Sequence, residues 1–419
     1  LLMSQLPDIS SADWLTRPET QHLLALLNGD GGVTRAVGGC VRDTVLGHAT
    51  HDTEVDLATS LLPDEVMARL QAANVRVIPT GLEHGTVTAL LRPDAATPWS
   101  YEITTLRRDV ETDGRHAQVA FSDDWEADAA RRDLTINALY ADADGRLHDP
   151  LGLGLDDVAA RRIRFIGEAS QRIEEDYLRI LRFYRFHFTL AANQALAADA
   201  VAACSQAAPH IAALSGERKQ AELLKILALP EAAPAIGAMR AAGLLAPLFG
   251  AKSQQGYDVS RLEKLAAESD DAILRLASLF ETAELAMQAA QTLRLANKQQ
   301  ARIAAALTPS VHIENADIRA ALYFDGVATL RDQAHLALAD GGNDAAKADF
   351  WHQLLQQLED YEKPVFPLNG TALKQAGIAE GPAMGALLKQ LENWWVAHEF
   401  PPLAALQDEL HAQLEKQSS

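Results

Sequence analysis

The strand-like runs of this chain crowd into its first 150 residues, and the strand signal fades after that point. TRAVGG, TEVDLA, NVRVIP, TVTALLR, SYEITTLR and HAQVAF follow one another before the Asp149-Pro150 turn. Among them, LLPDEVMARLQAANV spaces Leu61, Leu62, Val66, Met67 and Leu70 at helical intervals, with Pro63 near its start. The pattern predicts an α/β domain with a small sheet, entered through a helix in the first 30 residues and a glycine loop. Beyond Pro150, SQRIEEDYLRILRFYRFHFTLA predicts one amphipathic helix with Ile173, Tyr177, Ile180, Leu181 and Tyr184 in a stripe. From Ala191 onward the chain is rich in Ala, Leu and Gln, with Pro and Gly punctuating helix-length segments. Further boundaries are expected in GLLAPLFGAKSQQG and in EKPVFPLNG.

Bulk properties narrow the classes of function. No apolar run is long enough to span a bilayer, and no basic-then-apolar leader opens the chain, so the expected location is the cytoplasm. Cys40 and Cys204 are the only cysteines, which excludes a disulfide framework and a cysteine zinc site. A net charge of −20 argues against nucleic-acid binding. Arginines nevertheless cluster between residues 161 and 185, so a basic groove on an acidic body stays open.

Two stretches carry chemistry. In HDTEVDLATS, Asp52, Glu54 and Asp56 alternate with Thr53, Val55 and Leu57. On a strand this places three carboxylates on one face, either solvated or holding a cation. Upstream stands Gly38-Gly39-Cys40-Val41-Arg42-Asp43, where a strand ending in Gly-Gly opens a helix. Such a turn can present backbone N–H groups to a phosphate, although a plain tight turn has the same composition. A phosphate cradle beside paired acids is what nucleotidyl transfer needs: hard cations on oxygen ligands bind the triphosphate, activate a hydroxyl and neutralise the leaving pyrophosphate.

GGCVRD and TEVDLATSLLPDEV together resemble the signature of class II tRNA nucleotidyltransferases, the CCA-adding enzymes, and of their bacterial poly(A) polymerase relatives in the polymerase-β superfamily. The family pattern is Gly-Gly-x-Val-Arg-Asp followed by Asp-x-Asp-x-Ala-Thr, whose two Asp bind Mg2+. Ala58-Thr59 sets the register and places those positions at Glu54 and Asp56, with Glu replacing the first Asp. Asp52 then falls outside the pair, as a supporting group or a solvated charge. Glu102, in YEITTLRRD, is a candidate third carboxylate or an ordinary strand-face acid. RRDLTINAL resembles the family's RRDxTINAL motif, which implies sugar reading by Asp133 and Asn137 with Arg132 in support. Asp149-Pro150-Leu151-Gly152 resembles the family's hinge, with Gly152-Leu153-Gly154 where paired glycines are usual. Glu175-Asp176-Tyr177-Leu178-Arg179 matches Glu-Asp-x-x-Arg. At i and i+3 on a helix, Asp176 and Arg179 share a face and can pair with the Watson–Crick edge of cytosine or adenine, with Glu175 in support. HIAALSGERKQAELLKIL resembles the segment that braces this helix, through Glu217, Arg218 and Glu222. LRLANKQQARIAAAL and the segment carrying Trp394 and Trp395 resemble later family segments, the tryptophans reading as core.

The resemblance implies an α+β fold: a small mixed-sheet, polymerase-β-like palm domain at 1–150, a helical neck that reads the base at 151–245, a helical body at 246–365 and a tRNA-binding helical tail at 366–419. It implies template-independent addition of C, C and A to the 3′ end of tRNA from CTP and ATP, using two Mg2+ ions. Glu54 and Asp56 would hold the metals, with Glu102 joining in catalysis. Gly38, Gly39, Arg42 and Arg218 would serve the triphosphate. Poly(A) polymerases and enzymes adding only CC or only A share these motifs. A non-catalytic RNA-binding protein on the same fold is the reading from a different class. Neither DNA nor a membrane is expected as a partner, and no His-Asp constellation suggests an appended phosphohydrolase.

Overall fold

The runs predicted as strands pair into one mixed sheet. The computed structural model describes residues 7–91, 98–112, 117–250, 256–314, 317–341, 345–375 and 377–418. Strands β1 (Thr34–Val37), β2 (Val55–Thr59), β3 (Arg76–Gly81), β4 (Thr86–Leu91) and β5 (Trp99–Thr105) are followed by a separate hairpin of β6 (Arg107–Thr112) and β7 (Ala117–Phe121). The short strands β8 (Tyr140–Ala141) and β9 (Leu147–His148) complete the main sheet, ordered β3-β4-β5-β2-β1-β8-β9. Strands β2 and β5 run parallel, and the other neighbours are antiparallel. A parallel pair needs a long connection, here the helix Pro63–Ala72 and the β3–β4 hairpin.

Period-two alternation sorts the two faces of this sheet. Ala36, Leu57, Val87, Ala89, Tyr101 and Ile103 are buried on one face. The helices Pro18–Leu27 and Pro63–Ala72 pack on that side and bury Leu23, Leu24, Leu27, Val66 and Leu70. On the opposite face Val37 and Ala58 join Leu106, Ala129, Ala138, Tyr140 and Ile166 in a second cluster. Asp56 and Glu102 belong to this second face and are open to solvent.

The single amphipathic helix predicted after Pro150 is two helices, Ala169–Glu175 and Leu178–Leu190. Asp176 breaks the ladder with an extended backbone, φ −158° and ψ 105°. Its carboxylate accepts the N–H of Leu178 at 3.1 Å and so caps the second helix. Of the predicted apolar stripe, Ile173, Ile180, Leu181 and Tyr184 are buried, whereas Tyr177, at the break, is half-buried and stacks on His210 with ring centres 4.6 Å apart. The helix Gly216–Leu227, capped by Ser215, packs along Leu178–Leu190.

The chain forms two compact units, Leu1–Lys252 and Ser253–Ser419. The described part of the second is helical. One of its cores gathers Ala321, Leu322, Leu330, Leu354 and Leu358. Another surrounds Leu373, Leu391, Leu406 and Trp395, with Trp394 packed at its edge, so Trp395 is a core residue as expected. The architecture is α+β, as predicted. Among the described residues no helix is long and apolar enough to cross a membrane.

Candidate active site

Strand register brings two of the predicted carboxylates side by side. In the parallel β2–β5 pair, Asp56 lies directly opposite Glu102, and on the far side Thr88 of β4 lies opposite Glu102. Strand β2 begins at Val55, so Glu54 stands just ahead of it, and Asp52 sits in a turn beside His51, at 3.2 Å. The predicted strand face of three acids therefore reduces to Asp56 on the strand and Glu54 at its mouth. Asp56 is exposed at its surface side, yet the protein packed around its carboxyl strips away part of its hydration, and this, with the negative charge of Glu102, pushes it up to about 6; Glu54 adds to this and Arg132 opposes it. Cys40 lies under the same residue: burial, then the charge of Asp56, push its thiol up to about 12. A set of neighbouring carboxylates that repel one another fits a hard divalent cation. Among the described residues no three His, Cys, Asp or Glu side chains converge on one metal position. Mg2+ ordinarily takes one or two carboxylates and completes its shell with water and substrate phosphates, which matches this open donor set.

Strand β1 ends next to β2 and turns sharply at Gly38, whose φ of 75° and ψ of −119° suit glycine alone. The helix Gly39–Val45 starts there, with the first N–H groups outside the helical ladder, beside the acidic pair. Arg42 is turned inward. It grips Asp43 through Nε and Nη2, both at 2.8 Å, and donates from Nη1 to Asn137 Oδ1 at 2.5 Å. Asn137 Nδ2 in turn donates to Asp133 Oδ1 at 3.0 Å. Asp133 Oδ2 accepts Arg182 Nε at 2.6 Å. Burial works against the Asp133 charge, yet Arg182 and the hydrogen bonds hold its carboxyl below the usual range. Arg132 is engaged with Asp128 at 3.0 Å and with the Tyr140 hydroxyl at 3.1 Å.

The neck residues are arranged differently from the helical expectation. Because the chain breaks at Asp176, Asp176 and Arg179 do not lie along one continuous helix face. Asp176 pairs with Arg218 at 2.8 Å. Arg179 donates to Glu175 at 2.6 Å and to the carbonyls of Arg172 and Arg131, both at 3.0 Å. The last contact ties this helix to the RRD segment.

Two site residues escaped the sequence reading. Arg182 and Arg185 stand one and two turns after Arg179, on the helix that bears it. Glu222 accepts Arg185 Nε at 2.6 Å, and Arg182 Nη1 approaches it at 3.8 Å. The guanidinium groups of Arg42, Arg182 and Arg185 stand 4.8, 5.3 and 4.1 Å from the Phe186 ring centre. The i, i+3, i+6 spacing of Arg179, Arg182 and Arg185 was the signal that could have found them. The structure thus joins Arg42, Asn137, Asp133, Arg182, Glu222 and Arg185 into one polar circuit beside the Asp56–Glu102 pair on the sheet.

Comparison with known proteins places the whole chain. Residues 34–164 match the family described as Poly A polymerase head domain, and residues 195–253 match Probable RNA and SrmB- binding site of polymerase A. The chain is 33% identical over 390 residues to the mitochondrial CCA tRNA nucleotidyltransferase 1 of Danio rerio, covering 86% of this chain and 83% of that protein. It is 33% identical over 398 residues to the CCA-adding enzyme of Streptococcus gordonii, covering 91% and 94%. The crystal structure of the Bacillus stearothermophilus CCA-adding enzyme in complex with CTP superposes with a TM-score of 0.71 at 27% identity, covering 95% of this chain and 98% of that one. The Thermotoga maritima CCA-adding enzyme complexed with tRNA shares the fold, with a TM-score of 0.66 at 19% identity over 97% and 99% of the two chains. By sequence identity along most of its length and by its fold, the chain belongs to the CCA-adding tRNA nucleotidyltransferase family, a family of RNA nucleotidyltransferases.

Proposed function

We propose that this chain adds C, C and A to the 3′ end of tRNA, taking CTP and ATP in turn. The observation that carries the reading is the register pair Asp56–Glu102 beside the Gly38 turn, with the Asp56 carboxyl raised to about 6. The reaction is in-line attack of the tRNA 3′ hydroxyl on the α-phosphate: the new phosphodiester bond forms as the bond to pyrophosphate breaks. Asp56 and Glu54 would hold Mg2+, which when bound lowers the pKa of the attacking hydroxyl and neutralises charge on the phosphates. Glu102, opposite Asp56 on the neighbouring strand, adds negative charge that a bound cation would offset.

The remaining residues position the substrates. The Gly38-Gly39 turn offers N–H groups to the triphosphate. Arg182 and Arg185 are held through Nε by Asp133 and Glu222, and they would add positive charge for the same anion. Arg42 orients Asn137, and Asn137 orients Asp133, so the ribose readers are fixed before the nucleotide arrives. Asp176 and Arg179 read the base. For this, Asp176 must exchange Arg218 for the exocyclic amine of the base, and the released Arg218 is free to meet the triphosphate.

The test is incorporation of labelled CMP and AMP into tRNA lacking its 3′ end, comparing the parent with Asp56→Ala. The expected loss is on the order of 1,000-fold or more, with thermal stability retained. A variant as fast as the parent would remove Asp56 from the chemistry.

A further inference from the structure

Three arginines face outward just after the helix Gly154–Ala159. Arg161 and Arg162 are exposed and Arg164 is half-buried. Arg162 and Arg164 share one anchor. Asp157, fully buried, accepts Arg162 Nε at 2.7 Å on one carboxylate oxygen and Arg164 Nε at 2.6 Å on the other. Thr135 Oγ1 donates a third bond to it, at 2.6 Å. Burial works against the charge on Asp157, and the bonds from Arg164, Thr135 and Arg162 outweigh it, holding the carboxyl below the usual range. Because each guanidinium is gripped through Nε, its Nη groups remain uncommitted among the described residues, on side chains 52% and 40% exposed.

The backbone beneath is rigidly stitched. Phe165 bridges Leu134, Thr135 N–H donates to Arg164 O at 3.2 Å, and Ile166 N–H donates to Asp133 O at 3.1 Å. A carboxylate buried under two arginines is weak evidence of stabilisation, since well-packed apolar replacements are often as stable. What the arrangement achieves is orientation: two planar donors aimed at solvent from a fixed base. The sequence suggested a basic groove across residues 161–185, and the structure divides it. Arg172, Arg179, Arg182 and Arg185 are tied to Glu175, Asp133 and Glu222, whereas Arg162 and Arg164 point out.

We propose that Arg162 and Arg164 form a phosphate-binding surface for the RNA backbone of the tRNA substrate, an inference that rests on the reading of the chain as a tRNA-end enzyme. The arginine fork matches phosphate oxygens bidentately. The net charge of −20 repels RNA at long range, so affinity has to come from local contacts of this kind. The ladder that carries the two arginines also carries Asp133, so RNA held here has its backbone fixed relative to the ribose-reading circuit.

The test is equilibrium binding of tRNA lacking CCA to the full chain across a series of KCl concentrations. The parent is compared with Arg162→Gln and with Arg164→Gln, each of which leaves Asp157 one arginine. Each is expected to lower the slope of log affinity against log salt by about 0.7–0.9 and to weaken binding several-fold at low salt. The KM for CTP should not change. Arg162→Lys and Arg164→Lys keep the charge and should keep the slope. Unchanged slopes in both glutamine variants would overturn the surface. So would lysine variants as weak as the glutamine ones, which would mark a structural role, and so would a parent that does not bind tRNA. A parent that binds tRNA but adds no nucleotide would contradict the enzymatic reading and leave the surface standing.

Discussion

Asp56 differs from most acids of the chain in what surrounds it. Asp133, Asp157 and Asp128 are each buried under arginines that stabilise their charge, whereas Asp56 has a carboxylate for its strand neighbour and is raised to about 6. That contrast supports the proposed role of Asp56 as a cation ligand. Glu54 enters on different terms, one residue ahead of β2 and not on the strand. The proposed base reading also comes down to single residues. A bidentate base contact discriminates by ~1–3 kcal/mol, so Arg179→Ala should shift the ratio of kcat/KM for CTP over ATP by roughly 10- to 100-fold. Arg179→Lys keeps the charge but not the fork and should not restore the ratio. Steady-state kinetics with each nucleotide checks this; an unchanged ratio would take base reading away from Arg179.

Elements are held in place by buried polar ties. Asp128, on the helix Trp125–Ala130, accepts from Arg131, Arg132 and the Tyr140 hydroxyl, and so fastens that helix to β8. Burial opposes its charge, but Arg132 and Arg131 pull its carboxyl down to about 2. A folded-state value below the ordinary 3.8 stabilises the protein fully above about pH 4, and that stabilisation is lost as pH falls towards about 2. Asp128→Asn should therefore cost about 2 kcal/mol at neutral pH and progressively less below pH ~4. Denaturant midpoints at neutral and acid pH check the prediction; a penalty that grows on acidification would contradict it. The same scale shows what the sequence made legible. Strands β1 to β5 and β7 follow from alternation and β-branched residues. The strands β8 and β9 have two residues each, too few to show a period, and exist because β8 adds to the edge of β1 and β9 to the edge of β8. The break at Asp176 was hidden because the apolar spacing continues on both sides of it, while the cap found there is a single hydrogen bond. Motif spacing found Asp56 and Glu102, and register explains why they meet. The inward turn of Arg42 was not legible, because its partner Asn137 lies 95 residues away in sequence.

At the scale of the whole molecule, an acidic chain of two compact units has to attract an anionic substrate and then stop after a fixed number of additions. The first task falls to local arginines, so tRNA affinity should fall steeply with salt despite the net charge of −20. The second distinguishes a CCA-adding enzyme from a poly(A) polymerase, with which it shares its head domain, and from enzymes that add only CC or only A. On the proposed reading, nucleotide choice without a template requires that Asp176 and Arg179 change what they accept as the tRNA end grows. The most direct measurement is therefore product length. Purified protein is incubated with Mg2+, CTP, ATP and a tRNA ending at its discriminator base, and the products are resolved at single-nucleotide resolution. The expected product stops after C, C and A, with CTP alone giving two additions. A long A tail, arrest after CC, or no extension would contradict the assignment.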